Sequence, residues 1–167
     1  MNRTRTLALI GLLGTAACNN AEKPRAVSYE NKTELTNIRL TGLDQQAVDL
    51  GKYKGKTVVI NFWATWCKPC LLEMPSIEKA QNLLRNEEII FLLASDESVE
   101  QIAEFRTRHD YKFNYFRIEN SEDMDIQALP TTFIYSPEGH LVFSEPGERK
   151  WDDSANINMI LKIIKTK

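Results

Sequence analysis

Two cysteines separated by two residues, Cys67-Lys68-Pro69-Cys70, are the side chains of this sequence best suited to covalent chemistry. A thiolate attacks disulfides and binds soft metals; the neutral thiol is a poor agent for either. The pair follows Val58-Val59-Ile60-Asn61-Phe62, a run rich in β-branched residues of the kind that forms a buried strand, and it precedes a helical pattern. A strand running through a thiol pair into a helix sets the first sulfur at a helix N-terminus, where free N–H groups and the helix dipole favour the thiolate. Cys67 is therefore the candidate nucleophile. Cys70, one turn further in, is the resolving thiol that closes a disulfide with it. Lys68 adds a positive charge beside Cys67, which favours the thiolate unless the ammonium is simply solvated.

Two other uses of such a pair stay open on the residues alone. Half of a zinc site would need two more ligands, and Cys18, His109 and His140 are the other Cys and His residues, none paired at ligand spacing. A purely structural disulfide is the second, although closing so short a loop restrains little of the unfolded chain. Both histidines are isolated in sequence and read as surface or helix-end residues.

The elements that must position the pair follow from periodicity. Residues 57–62 form the central strand, and a helix runs from about Cys70 to Asn86 on the spacing of Leu72, Ile77, Ala80, Leu83 and Leu84, with Pro75 expected to kink it. Residues 88–94 form a second buried strand. A helix capped by Ser95 or Asp96 follows, reaching about Asp110 with Val99, Ile102 and Phe105 inward. Residues 111–118 contain a short strand, and Ser121 begins a helical turn. Residues 131–135 and 140–144 flank Ser136-Pro137-Glu138-Gly139 as an antiparallel hairpin. From Trp151 on, Ile157, Ile160, Leu161 and Ile164 mark an amphipathic helix whose stripe belongs to the core. Earlier in the chain, residues 36–40 and 47–50 read as a further hairpin around Thr41-Gly42-Leu43-Asp44. Strands alternating with helices predict an α/β domain with a parallel part to its sheet.

A chain of 167 residues, 43% of them hydrophobic, can bury one proper core, and a net charge of -2 gives no reason to expect nucleic acid as a partner. The N-terminus stands apart. Arg3 and Arg5 precede the apolar run Leu7 to Leu13, which is too short to span a membrane, and Thr15-Ala16-Ala17-Cys18 offers a small-residue cleavage site. Residues 1–17 are read as a signal peptide, residues 18–34 as a polar tether and residues 35–167 as the domain. The segment resembles a bacterial lipoprotein signal in which Cys18 becomes the acylated first residue. Thr15 departs from the branched aliphatic usual at its position, and plain secretion with a free cysteine is the alternative. Acylation would remove an unpaired thiol from an oxidising compartment.

The stretch from Gly55 to Pro75, with Trp66 before the first cysteine, Glu73 three residues after the second and Pro75 two beyond that, resembles the thioredoxin superfamily, and within it the TlpA/ResA-like branch of membrane-tethered bacterial thiol–disulfide oxidoreductases. Leu129-Pro130-Thr131-Thr132-Phe133 resembles the cis-proline loop of that family. The resemblance covers about residues 36–165. It implies a thioredoxin-like fold, a central mixed β-sheet flanked by helices with an N-terminal β-hairpin, and a central insert around Val99–Ile118 in the long interval between Cys70 and Pro130. It also implies a cis Pro130 packed against the cysteines, with Leu129 and Thr131 lining a partner groove; on the residues alone Pro130 reads as a turn proline at a strand start, and most X–Pro bonds are trans. Trp66, Lys68 and Pro69 fall on the expected contact surface, and Trp63 and Trp66 are each core or rim. Cytosolic thioredoxins carry a buried Asp where this chain has Asn61, which cannot take a proton. In the TlpA/ResA-like branch the Glu at the place of Glu73 is held to assist proton transfer; a solvated helix carboxylate is the plain alternative.

The expected function is disulfide exchange with protein partners in the reducing direction, for example in cytochrome c maturation. The Cys67–Cys70 disulfide would be the sole redox group, without cofactor or metal. Electrons would come from a membrane thiol carrier. The protein would be a monomer, lipid-anchored at Cys18 on the periplasmic or cell-surface side of a bacterial membrane. A peroxiredoxin-type peroxidase competes poorly, because the Pro-x-x-x-Thr/Ser-x-x-Cys loop would need Pro and Thr or Ser where Ile60 and Ala64 stand. A non-enzymatic binding lipoprotein is the third class, and it would tolerate loss of both thiols.

Overall fold

The computed structural model describes residues 34–166. The expected signal peptide, Cys18 and residues 18–33 of the expected tether lie outside the described residues. Six strands, β1 (Leu40–Gly42), β2 (Thr57–Phe62), β3 (Ile89–Ser95), β4 (Asn114–Ile118), β5 (Thr131–Tyr135) and β6 (Leu141–Pro146), form one sheet in the order β1-β4-β3-β2-β5-β6. β2, β3 and β4 run parallel, while β1, β5 and β6 are each antiparallel to their inner neighbour. All six residues of β2 are buried, as the apolar run requires of a strand covered on both faces.

Three helices cover one face. These are α1 (Lys68–Leu83), α2 (Val99–Arg108) and α3 (Ser154–Lys165). Met74, Ile77, Ile102, Phe105 and Ile160 meet Val59, Leu93, Tyr115 and Ile134 in one cluster. The opposite face is closed by the N-terminal segment, with Leu35, Ile38, Leu40 and Leu50 against Val58, Ile60, Leu92 and Phe133, and by Met124 from a 3-10 turn at Ser121–Met124. This is a thioredoxin-like fold. The expected insert is present as α2 and β4, which widen the parallel part of the sheet.

Several boundaries differ from expectation. The N-terminal hairpin is short and displaced: Thr41 bridges Ala47, whereas Leu35–Asn37 and Leu50–Tyr53 are 3-10 turns. β1 pairs with β4 instead, through Leu40 with Ile118, a contact that local alternation could not announce. The cap of α2 is Ser98. It forms a full capping box with Gln101, while Ser95 is the buried last residue of β3. In α1 the inward stripe is Cys70, Glu73, Met74, Ile77 and Ala80, and Leu72 and Leu83 face solvent at 60% and 63% exposure. A carboxylate thus takes a core position that the hydrophobic pattern assigns to its neighbour.

Candidate active site

Cys67 caps α1. Its sulfur accepts the N–H of Cys70 at 3.3 Å, and Lys68 and Pro69 occupy the first two helical positions. Proline is tolerated there because its missing N–H would have no helical partner. The sulfurs of Cys67 and Cys70 are joined in a disulfide, with their Cα atoms 5.3 Å apart. Both residues are buried, Cys67 at 4% exposure and Cys70 at 1%, so Cys67, the candidate nucleophile, is the more accessible of the pair by a small margin only. Lys68 and Pro69 are exposed beside it.

The loop ahead of the cysteines is held from the end of β3. Glu97 accepts both the backbone N–H and the hydroxyl of Thr65, each at 2.6 Å, and the hydroxyl of Ser95 at 3.1 Å. The two tryptophans of the loop separate cleanly. Trp63 is core, with its ring 4.6 Å from that of Phe105, and Trp66 projects into solvent at 73% exposure. Glu97 belongs to the site although nothing in the sequence singles it out: a Glu two residues past a strand carries no distinguishing mark.

The Leu129–Pro130 peptide bond is cis. Pro130 gives its carbonyl to the N–H of Gly147 at 2.7 Å, and Gly147 reaches that position with φ at 100°, a left-handed conformation that favours glycine. Leu129 lines an apolar cavity of about 380 Å³ at the carboxyl ends of β2, β3 and β4, together with Trp66, Ala94, Ile118 and Ile126, with Asp96 and Glu122 at its edge. Thr131 is not among the residues lining that cavity. It is the buried first residue of β5, and its hydroxyl turns back to donate to the carbonyl of Ala128 at 2.6 Å.

Glu73 is 2% exposed and holds three hydrogen bonds at its carboxylate. Asn61 donates to one oxygen at 2.6 Å; the backbone N–H of Arg149 and the ring N–H of Trp151 donate to the other at 3.0 and 3.3 Å. It is not a solvated helix residue. Burial pushes its carboxyl above the ordinary carboxylate range, and the three donors and the charge of Glu148 modify that shift, the donors opposing it and Glu148 adding to it. Arg149 and Trp151 carry no local signal of this role, because they lie far along the chain, in the loop between β6 and α3. Among the described residues no cluster of His, Cys, Asp and Glu could hold a metal ion, and no helix is long and apolar enough to cross a membrane.

Comparison with known proteins agrees with this geometry. The Redoxin family model matches residues 30–161. Thiol-disulfide oxidoreductase ResA of Bacillus thuringiensis subsp. konkukian is 31% identical over 120 residues, covering 70% of this chain and 69% of that protein. The thioredoxin-like protein YneN of Bacillus subtilis is 29% identical over 140 residues, covering 80% and 82%. A structure described as a thiol:disulfide interchange protein DsbE of Chlorobium tepidum superposes with a TM-score of 0.69 at 20% identity, over 80% of this chain and 98% of that one. The exposed lipoprotein thioredoxin Etrx1 of Streptococcus pneumoniae does so with a TM-score of 0.58 at 25% identity, over 77% and 98%. With a CxxC pair closed as a disulfide at the head of α1, the chain is a thiol-disulfide oxidoreductase that belongs to the Redoxin family, in the ResA-like branch of the thioredoxin superfamily.

Proposed function

We propose that the protein is a lipid-anchored, extracytoplasmic reductant of protein disulfides, acting in cytochrome c maturation or on other exported disulfides. The observation that carries this reading is the buried Glu73, one turn along α1 from Cys70 and poised with a raised carboxyl pKa. In the reduced protein the Cys67 thiolate attacks one sulfur of a partner disulfide, forming a mixed disulfide and releasing the partner's second sulfur as a thiolate. Cys70 then gives its proton to Glu73 and attacks the Cys67 sulfur. The bond between Cys67 and the partner breaks, the partner leaves with both its cysteines reduced, and the Cys67–Cys70 disulfide remains. Two electrons have passed to the partner. A membrane thiol carrier supplies two new ones, reducing the Cys67–Cys70 disulfide as its own dithiol is oxidised, and no cofactor beyond the disulfide is needed.

Partner docking is assigned to Trp66, Lys68, Pro69 and Leu129 around the cis Pro130, with the cavity beside Trp66 taking an apolar side chain of the partner. The pattern Leu7–Leu13 followed by Ala16-Ala17-Cys18 supports the anchor, and the likeness to the pneumococcal exposed lipoprotein is consistent with it. The domain is taken to work as a monomer. Equilibrating the Cys67–Cys70 pair with glutathione tests the direction. A potential at or below about −220 mV, toward the ~−270 mV of thioredoxin, fits a reductant; one near about −120 mV, as in DsbA, contradicts it.

A further inference from the structure

Trp151 is joined to α1 twice. Its backbone N–H donates to the hydroxyl of Ser76 at 3.1 Å, and that hydroxyl donates to the carbonyl of Glu73 at 2.8 Å. Its ring N–H donates to the carboxylate of Glu73 itself, and the indole is 2% exposed. The ring is held in place by Phe143, 6.2 Å away and edge-on, and by the guanidinium of Arg149, 5.6 Å above it. Of the three donors to Glu73, Asn61 comes from the central strand and Arg149 gives a backbone group; Trp151 alone brings a side chain from the loop that also reaches Pro130 through Gly147.

We propose that Trp151 is a positioning residue for thiol exchange: its indole N–H keeps the Glu73 carboxylate ionised and in place to receive the proton of Cys70. This rests on the role given to Glu73 above. The groups that act on that carboxylate are Asn61 from β2 and Arg149 and Trp151 from the loop, as donors, and Glu148 through its charge; Cys70 precedes Glu73 by one turn of α1, and Ser76 bonds the Glu73 backbone carbonyl. The guanidinium of Arg149 is turned away to Glu145 and Asn156, and among the described residues no cation pairs with the buried carboxylate. The ionised form depends on neutral donors. Glu148 works against it, and loss of one donor leaves burial less opposed.

The test compares the full-length wild type with Trp151→Phe and Glu73→Gln. Carbon-13 NMR of the glutamate carboxyls follows Glu73, identified by its absence in Glu73→Gln, and single-turnover kinetics follow mixed-disulfide resolution across pH. Trp151→Phe should raise the Glu73 midpoint by about one pH unit. The acidic limb of the resolution rate should move with it, with the plateau unchanged. Glu73→Gln should lack that limb altogether. An unmoved midpoint in Trp151→Phe overturns the proposal. A midpoint that moves while the rate limb stays, or a limb that survives in Glu73→Gln, overturns the role of Glu73 as proton acceptor and with it that of Trp151. If Trp151→Phe fails to fold, benzothienylalanine at position 151 removes the N–H while keeping the ring size, and the same readings apply.

Discussion

Asn61 donates one amide hydrogen to Glu73 and another to Thr132 at 3.0 Å, while its own carbonyl oxygen has no partner among the described residues. An amide with an idle oxygen can turn over. In the ionised state of Glu73 the NH2 group faces the carboxylate; once Glu73 is protonated, the oxygen can accept its hydrogen and that of Thr132. Asn61 cannot take the proton, but it can serve both states of the residue that does.

Glu73→Gln is accommodated by the same turn, so the fold should persist. Resolution of mixed disulfides should slow by about a hundredfold, the usual scale for loss of a general base. Stopped-flow measurement checks this, and a rate and pH profile unchanged between about pH 5 and about pH 9 would leave Glu73 without a part in proton transfer.

Stability should also depend on Glu73 in a defined direction. Its folded pKa is raised, so the protonated form favours folding; that contribution is complete below the unfolded carboxyl pKa and is lost as pH rises through the folded value. Relative to wild type, Glu73→Gln should therefore gain stability between about pH 4 and about pH 8, by about 1.4 kcal/mol for each pH unit that separates the folded and unfolded midpoints of Glu73. Denaturant melts at the two pH values measure it. A difference that stays constant would contradict the raised pKa.

Trp66→Ala should raise KM for protein disulfides about five- to tenfold with kcat little changed, as for an exposed aromatic anchor at an interface. Reaction with a small aromatic disulfide should not change. Equal losses on both substrates would make Trp66 a support for the Cys67 loop and not a partner contact.

Much of this is legible because it is local. The strand at Thr57–Phe62, the cysteines at the helix start and the turn at Ser136–Gly139 declare themselves within a few residues. The 3-10 turn at Leu35–Asn37 and the pairing of β1 with β4 do not, because a half-alternating stretch takes its state from a strand far along the chain. The cap at Ser98 is written as Ser-x-x-Gln, yet Ser95 and Asp96 compete with it until the sheet claims Ser95. At the site, both cysteines and Glu73 can be named from their motif; the surroundings of Glu73 cannot. Asn61, Arg149 and Trp151 converge on it from separate elements, and Leu72, the apolar residue next to it, is the one left in solvent.

Cys18→Ala should release the mature domain from the membrane fraction while leaving reduction of insulin disulfides unchanged in vitro. Fractionation with an activity assay on both fractions decides it. Persistent membrane association of the cleaved variant would contradict lipid anchoring at Cys18.

The assignment of roles within Cys67–Cys70 is tested most directly by trapping. Cys70→Ser leaves a nucleophile without its resolving thiol and should accumulate mixed disulfides with partner proteins, visible on non-reducing gels and lost on adding a thiol. Cys67→Ser should accumulate none, because the remaining sulfur at Cys70 is the less accessible of the two. Mixed disulfides formed by Cys67→Ser and not by Cys70→Ser would contradict the account, by making Cys70 the attacking residue.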